Sequence, residues 1–261
     1  MKKKPNVVNN VIRESSNQSN DDLDYLEDIG KYWDTSNTST LTKLDSFTKY
    51  VSRQSLTKFI CRYELFLKQL EINGSVVEVG VHRGQSLMSW AHLSSILEPV
   101  NYLRKIIGFD TFEGFVELDK NDEKGISEHL YQGGFDAGED AERDLEMAIG
   151  LFDQNRLMNH IQKVELIRGD VSTTLPQYLE SNPHLIVSLL HLDADLYRPT
   201  KDTLKLLLPR IPKGGLIVFD ELNMKLFPGE TLAMLEEMSL RDCKLNRFPF
   251  ATSMSYVIVG H

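Results

Sequence analysis

The sequence predicts an α/β fold: a mostly parallel sheet with helices on both faces. Short runs rich in Val and Ile recur at 75–79, 105–109, 164–168, 185–192 and 215–219, and helix-forming segments separate most of them. These runs are nearly continuous in apolar residues, the pattern of strands covered on both faces. Two further extended pieces, around 243–249 and 253–259 with a turn-like stretch between them, predict a closing antiparallel pair. Together they make a seven-stranded sheet.

Taken in order, residues 1 to about 40 are rich in Asn, Ser, Thr and Asp and read as a mobile N-terminal arm. Within it, Tyr25, Leu26, Ile29, Tyr32 and Trp33 are suited to a short docking helix. One domain is expected over 41–261, since no Pro/Gly/Ser-rich linker interrupts the chain beyond that point. Leu56, Phe59, Ile60, Tyr63, Phe66, Leu67 and Leu70 recur at three- and four-residue steps and predict a helix covering one face of the sheet. Leu204, Leu207 and Leu208 mark a crossover helix with Thr200 as its cap, and Leu232, Leu235 and Met238 mark another. The stretch from about 116 to 150 is dense in acids, among them Glu117, Asp119, Asp122 and Asp136, with Gly133, Gly134 and Gly138. It is expected to be a lid-like insertion, or else a solvated acidic surface.

The net charge of -9, from 38 acidic and 29 basic residues, argues against nucleic acid as the main partner. Cys61 and Cys243 offer neither a disulfide framework nor metal-ligand spacing, so a reduced, cytoplasmic protein is expected. The start, MKKKPNVVNN, lacks the apolar run of a signal peptide, and no stretch approaches the ~20 apolar residues of a membrane span. A soluble protein without a membrane partner is the expectation.

Three strand ends suggest a cofactor site. The first runs Glu78-Val-Gly80-Val-His-Arg-Gly84, a strand passing through a glycine turn into a helix. The turn is not G-x-G-x-x-G, which counts against a dinucleotide and an oxidoreductase. An acid before glycine suits a ligand carrying a sulfonium and an ammonium but no phosphate. Asp110 closes the second strand, where a carboxylate can accept ribose hydroxyls or cap the turn beside Thr111. Asp170, after Arg168-Gly169, is placed to hold an adenine amino group, with Val171 for apolar contact.

Two later strands end in Asp193-Ala-Asp195 and Asp220-Glu221. Carboxylates held together repel unless protons or a cation neutralise them. Level ends on adjacent strands bring Asp193, Asp220 and Glu221 around one point, an oxygen donor set suited to Mg²⁺ or another divalent cation. Capping of helices and pairing with Arg198 and Lys201 is the alternative. His191 is either a base or a core histidine.

Four stretches carry a resemblance: Glu78-Val-Gly-Val-His-Arg-Gly84, Phe109-Asp-Thr-Phe-Glu-Gly-Phe115, Leu192-Asp-Ala-Asp-Leu-Tyr197, and Phe219-Asp-Glu-Leu222 followed by Phe227-Pro-Gly-Glu230. In this order, over roughly 70–235, they resemble the macrocin O-methyltransferase family, which methylates sugar hydroxyls of natural products or of nucleotide-linked deoxysugars. The resemblance implies a Rossmann-like methyltransferase fold, S-adenosylmethionine and Mg²⁺. It implies Asp193 as a metal ligand, Asp195 as general base and Asp220 with Glu221 completing the metal site. Where the family often has two aspartates this chain has Asp-Glu, and Glu221 is the longer side chain. The cofactor residues expected are Glu78, Gly80, Arg83, Gly84, Ser86, Asp110, Thr111, Asp170, Val171 and Asp193. A sugar-containing acceptor and a homo-oligomer are expected. A catechol-type O-methyltransferase and a non-catalytic adenosyl-ligand-binding protein are the other readings.

Overall fold

The computed structural model describes the backbone of residues 7–8 and 11–12, and residues 19–260 with the side chain of Thr252 excepted. Val7–Val8 (β1) and Val11–Ile12 (β2) pair antiparallel. Otherwise residues 1–18 of the arm expected over 1 to about 40 lie outside the described residues. Asn20–Thr35 forms helix α1, opened by a capping box between Ser19 and Asp22. It contains the whole Tyr25–Trp33 segment, and Thr40–Asp45 follows as α2.

The main sheet has seven strands: Ser75–Val79 (β3), Ile106–Asp110 (β4), Val164–Arg168 (β5), Val187–Leu192 (β6), Leu216–Phe219 (β7), Asn246–Phe248 (β8) and Ala251–Ile258 (β9). Their order is β5-β4-β3-β6-β7-β9-β8, parallel from β5 to β7 and antiparallel from β7 to β8. Alternate side chains feed two cores. Val76, Ile106, Leu189, Leu216 and Val218 face α3 (Arg53–Gln69), α4 (Gln85–Leu97) and α5 (Ala141–Gln154). Val77, Ile107, Phe109, Leu190, Leu192, Ile217 and Phe219 face α6 (Val171–Ser181), α7 (Tyr197–Leu207) and α8 (Pro228–Glu237). No helix among the described residues is long and apolar enough to cross a membrane.

The register positions the site. Phe109, Val79, Leu192 and Phe219 are partners across β4, β3, β6 and β7. The next residues, Asp110, Gly80, Asp193 and Asp220, therefore leave the sheet level with one another. Adjacent strands lie ~4.8 Å apart, so side chains at this edge meet.

Two expectations need correction. Helix α3 exists, but only part of the stripe that predicted it faces inward: Phe66 is in the core and Leu70 packs against it, whereas Phe59, Ile60, Tyr63 and Leu67 are exposed. The buried face carries Cys61, Arg62, Leu65, Phe66 and Gln69. Gln69 is buried because its Oε1 accepts from Arg104 Nη1 at 2.6 Å, and Arg104 also binds Glu98 and the carbonyls of Ile72 and Gly74. Second, α7 is not capped by Thr200, which lies inside the helix. The amide of Tyr197, the helix's first residue, donates instead to Asp122 Oδ1 at 2.8 Å. Asp122 comes from the acidic insertion, is 1% exposed and accepts a second amide, that of Asp119, at 2.8 Å. Burial pushes its carboxyl above the usual range, against the pull of these amides. Leu130, Leu118 and Phe135 of the same region pack with Phe115, Leu196 and Phe227, so an apolar cluster anchors the insertion.

Candidate active site

A cavity of about 470 Å³ opens over the carboxyl-end edge of the sheet, within the size range of small-molecule sites. Its floor follows the strand order. Gly169, Asp170, Val171 and Ser172 line it after β5, Asp110 and Thr111 after β4, Gly80 to Arg83 with Ser86 after β3, Asp193 to Leu196 after β6, and Asp220 and Glu221 after β7.

Gly80 has φ +91°, and a Cβ there would lie 1.9 Å from the carbonyl oxygen of Asp193. Glycine is required because the turn after β3 closes against the backbone leaving β6, which fixes Asp193 beside the turn. Asp110 holds the same turn from the other side. Its Oδ2 accepts the amides of Val81 and His82, both at 2.6 Å, and its Oδ1 accepts that of Phe112 at 2.6 Å. The carboxylate thus organises two loops while lining the cavity. Asp170 caps α6 through the amide of Ser172, 2.9 Å from Oδ1. Thr111 Oγ1 donates to the Gly114 carbonyl at 2.8 Å. Arg83 is an exposed residue at the rim.

Two residues of the expected cofactor set lie outside the cavity. Glu78 is fully buried beneath it: Oε1 accepts from Ser86 Oγ at 2.6 Å, and Oε2 lies 3.2 Å from His191 Nδ1. Strand alternation explains this, since Glu78 shares the α4 face of the sheet with Val76. Gly84, at φ +80°, begins α4, and a Cβ there would meet Leu145 of α5 at 2.3 Å. Its role is helix packing.

The acids of β6 and β7 do converge. One donor atom each from His191, Asp193 and Asp220 lies within 4.8 Å of the others. Glu221 lies close enough to Asp195 and Asp220 to affect the proton affinity of both. Behind it, fully buried Glu230 accepts the Glu221 amide at 3.1 Å. Asp195 sits at φ +60° in a three-residue turn closed by Leu196 N–H donating to the Ala194 carbonyl at 2.6 Å. A non-glycine residue in this region holds about 1–3 kcal/mol of strain, a device concentrated at functional sites.

Burial, followed by the charge of Asp220, pushes the Asp193 carboxyl up to about 6. Burial raises Asp195 and Glu221 well above the ordinary range, with the neighbouring carboxylates adding to it. Asp220 runs the other way: burial works to raise it, but Lys58 and then His191 outweigh this and hold it low. Lys58 Nζ lies 3.5 Å from Asp220 Oδ2. Four carboxylates thus gather near Lys58, with Arg62 farther off, and Asp220 Oδ1, Glu221 Oε2 and His191 Nε2 are buried without a hydrogen-bond partner among the described residues. Orphaned donor atoms of this kind, oxygen-rich and mutually repelling, fit a divalent cation. The His191 ring nitrogen widens the choice from Mg²⁺ toward Mn²⁺. The link from His191 Nδ1 to Glu78 resembles the outer support that orients metal-binding imidazoles.

Several lining residues escape a reading by strand ends. Lys58 and Arg62 enter from α3, and Phe115, Phe135 and Phe227 wall the far side. Lys58 and Arg62 are four residues apart, hence on one helix face, but the apolar residues beside them concealed that signal. Glu230 stands in a noted motif without a site role. Arg198 lines the cavity and pairs with Glu117 at 3.1 Å, whereas Lys201 pairs with Glu236 and lies outside it.

The strand order, the glycine turn after β3 and the acids at level strand ends define a Rossmann-like methyltransferase fold. The chain belongs to the macrocin O-methyltransferase family, described as Macrocin-O-methyltransferase (TylF), which matches residues 51–234, well over half of the chain. Among solved structures, the calicheamicin methyltransferase CalS11 is 30% identical with a TM-score of 0.90 over 94% of this chain and 95% of that one. A structure described as apo CalS11, a TDP-rhamnose 3'-O-methyltransferase of calicheamicin biosynthesis, is 28% identical with a TM-score of 0.81, covering 94% and 97%. A Streptomyces olivaceus protein described as 8-demethyl-8-(2,3-dimethoxy-alpha-L-rhamnosyl)-tetracenomycin-C 4'-O-methyltransferase is 27% identical over 154 residues. That match covers 58% of this chain and 53% of the relative, so the chain spans about half of that relative's length.

Proposed function

We propose that this chain is an S-adenosylmethionine-dependent O-methyltransferase acting on a hydroxyl of a deoxysugar, either nucleotide-linked or on a glycosylated natural product, with a divalent cation. The carrying observation is one cavity with Asp110, Thr111, Asp170 and Val171 at strand ends on one side and the Asp193, Asp195, Asp220, Glu221 cluster on the other. The sugar acceptors named for the relatives support the substrate class.

Asp170 and Val171 would receive the adenine end, and Asp110 and Thr111 the ribose. Asp193 and Asp220, with Glu221 or His191 beside them, would hold the cation. When bound, S-adenosylmethionine supplies an electrophilic methyl group and the cation supplies Lewis-acid polarisation of the acceptor hydroxyl. Asp195 accepts the hydroxyl proton as the new oxygen–carbon bond forms and the carbon–sulfur bond breaks. Burial and the neighbouring carboxylates raise its proton affinity, which favours its taking up a proton. Its left-handed turn fixes where it points. Phe115, Phe135 and Phe227 offer apolar surface to the C–H face and methyl group of a deoxysugar while excluding water. The 116–150 segment, which contributes Val116, Glu117 and Phe135 to the wall, acts as the lid. Arg83 and Arg198, both exposed and lining the cavity, are the cations that would meet a nucleotide's phosphates, Arg198 on release from Glu117.

The test is methyl transfer to a panel of nucleotide-linked and glycosidic deoxysugars, read by mass spectrometry with and without chelator. Turnover should vanish in excess chelator, and Asp195→Asn should lose about 10²–10⁴-fold in rate while keeping cation affinity. Activity persisting in chelator overturns the metal role. Preference for a catechol over every sugar overturns the substrate class.

A further inference from the structure

We propose that Arg62 is the receptor for the carboxylate of the cofactor's amino-acid tail; the inference rests on the S-adenosylmethionine reading above. Arg62 lies on the buried face of α3, is 1% exposed and lines the cavity. Its Nε and Nη1 have no hydrogen-bond partner among the described residues. A guanidinium brought out of water without a partner is strongly unfavourable, so a folded protein retains one where an anion completes it. Asp220, an acid that acts on Arg62 across the site, makes its short contact with Lys58 instead, and no carboxylate lies within ion-pair distance of Arg62 among the described residues.

The location fits the tail of the cofactor and not its nucleoside. Along the sheet the order is β5, β4, β3, β6, β7. The nucleoside-side residues Asp170 and Asp110 follow β5 and β4, while α3 packs on α4, β7 and β9, across β3 from them. A ligand extended from Asp170 over the Gly80 turn reaches the Arg62 side with its amino-acid end. That end carries a carboxylate and an ammonium. Glu78, the acid expected to meet the ammonium, is closed off by Ser86 and His191. Of the cavity's charged side chains, the cations Lys58 and Arg62 enter from α3, and the acids of β6 and β7 line the same cavity. Lys58 is engaged with Asp220, and a guanidinium fork matches a carboxylate in two parallel hydrogen bonds. Arg62 is therefore the group that binds it.

Calorimetric titration distinguishes this role from a purely structural one. The probes are S-adenosylhomocysteine and its decarboxylated analogue S-adenosyl-3-thiopropylamine, which keeps the nucleoside, sulfur and ammonium. Wild-type protein should prefer S-adenosylhomocysteine by about 10–100-fold, the range expected of charge-assisted hydrogen bonds. Arg62→Met should lose that preference by weakening S-adenosylhomocysteine alone. Arg62→Lys keeps the charge without the fork and should fall between the two, which preserves the test should the Met variant fail to fold. Equal weakening of both probes, or of neither, overturns the assignment in favour of Arg62 as a counter-charge to the acidic cluster. Failure of wild-type protein to bind S-adenosylhomocysteine overturns the cofactor reading itself.

Discussion

Replacing Asp122 tests whether the acidic insertion is built into the fold. This carboxylate accepts the amides of Tyr197 and Asp119, each at 2.8 Å, from a site 1% exposed. Asp122→Ala strands the Tyr197 N–H at the start of α7, a loss of about 1–3 kcal/mol for an unsatisfied buried donor. Losing a helix cap costs about 0.5–2 kcal/mol and largely describes the same bond. The Asp119 amide adds to this, and relief of carboxylate burial subtracts from it. A net destabilisation of about 2–3 kcal/mol is expected, lowering the melting temperature by about 5–10 °C in a chain of this size. Asp122→Asn should lose roughly half as much, since its amide oxygen can serve one donor while its NH₂ faces the other. The pH dependence has a definite sign. Burial raises the Asp122 carboxyl, so the penalty for its charge is absent below the ordinary carboxylate value and present once pH exceeds the raised one. The stability gap between wild type and Asp122→Asn should therefore widen from about pH 7 to about pH 4. Urea denaturation across that range measures it. A gap under about 0.5 kcal/mol for Asp122→Ala, or one that narrows in acid, would refute the reasoning.

Three other outcomes are expected. Gly80→Ala places a methyl 1.9 Å from the Asp193 carbonyl at φ +91°; the turn must shift, and both stability and S-adenosylhomocysteine affinity should fall, which denaturation and calorimetry would show. With the Asp193 carboxyl near 6, Mg²⁺ or Mn²⁺ binding at about pH 6 should release about half a proton from this group. Titrations in buffers of different ionisation enthalpy count it, and binding without proton release would contradict a carboxylate ligand at Asp193. Cys61 is fully buried and its thiol is pushed up to about 12. Native protein should thus show a single titratable thiol, Cys243, with a second appearing only on unfolding.

How much was legible in the sequence depended on how local the cause was. Strand ends were readable because a strand is local, and an acid after an apolar run marks the edge where it leaves the sheet. Asp193, Asp220 and Asp110 were found in this way. Glu78 was misplaced toward the ligand because its face depends on strand alternation within the assembled sheet, where Ser86 and His191 meet it. The face of α3 was legible only at Phe66 and Leu70, for a related reason. A helix with Phe59, Ile60 and Tyr63 beside Lys58 and Arg62 presents two candidate buried faces, and only the sheet edge and the Arg104 network decide between them. Asp122 capping α7 joins residues 75 positions apart, a relation that no local pattern encodes.

The sequence by itself determined the strands, their parallel character and the acids at their ends, because apolar runs and short-range turns are properties of contiguous residues. Tertiary structure decided which of those acids share a point, which are sealed beneath the cavity, and which cations reach it. Those outcomes depend on strand order and register, and so on distances between segments far apart in the chain. The electrostatics of the site follow from those distances and from burial, and neither exists until the sheet is assembled.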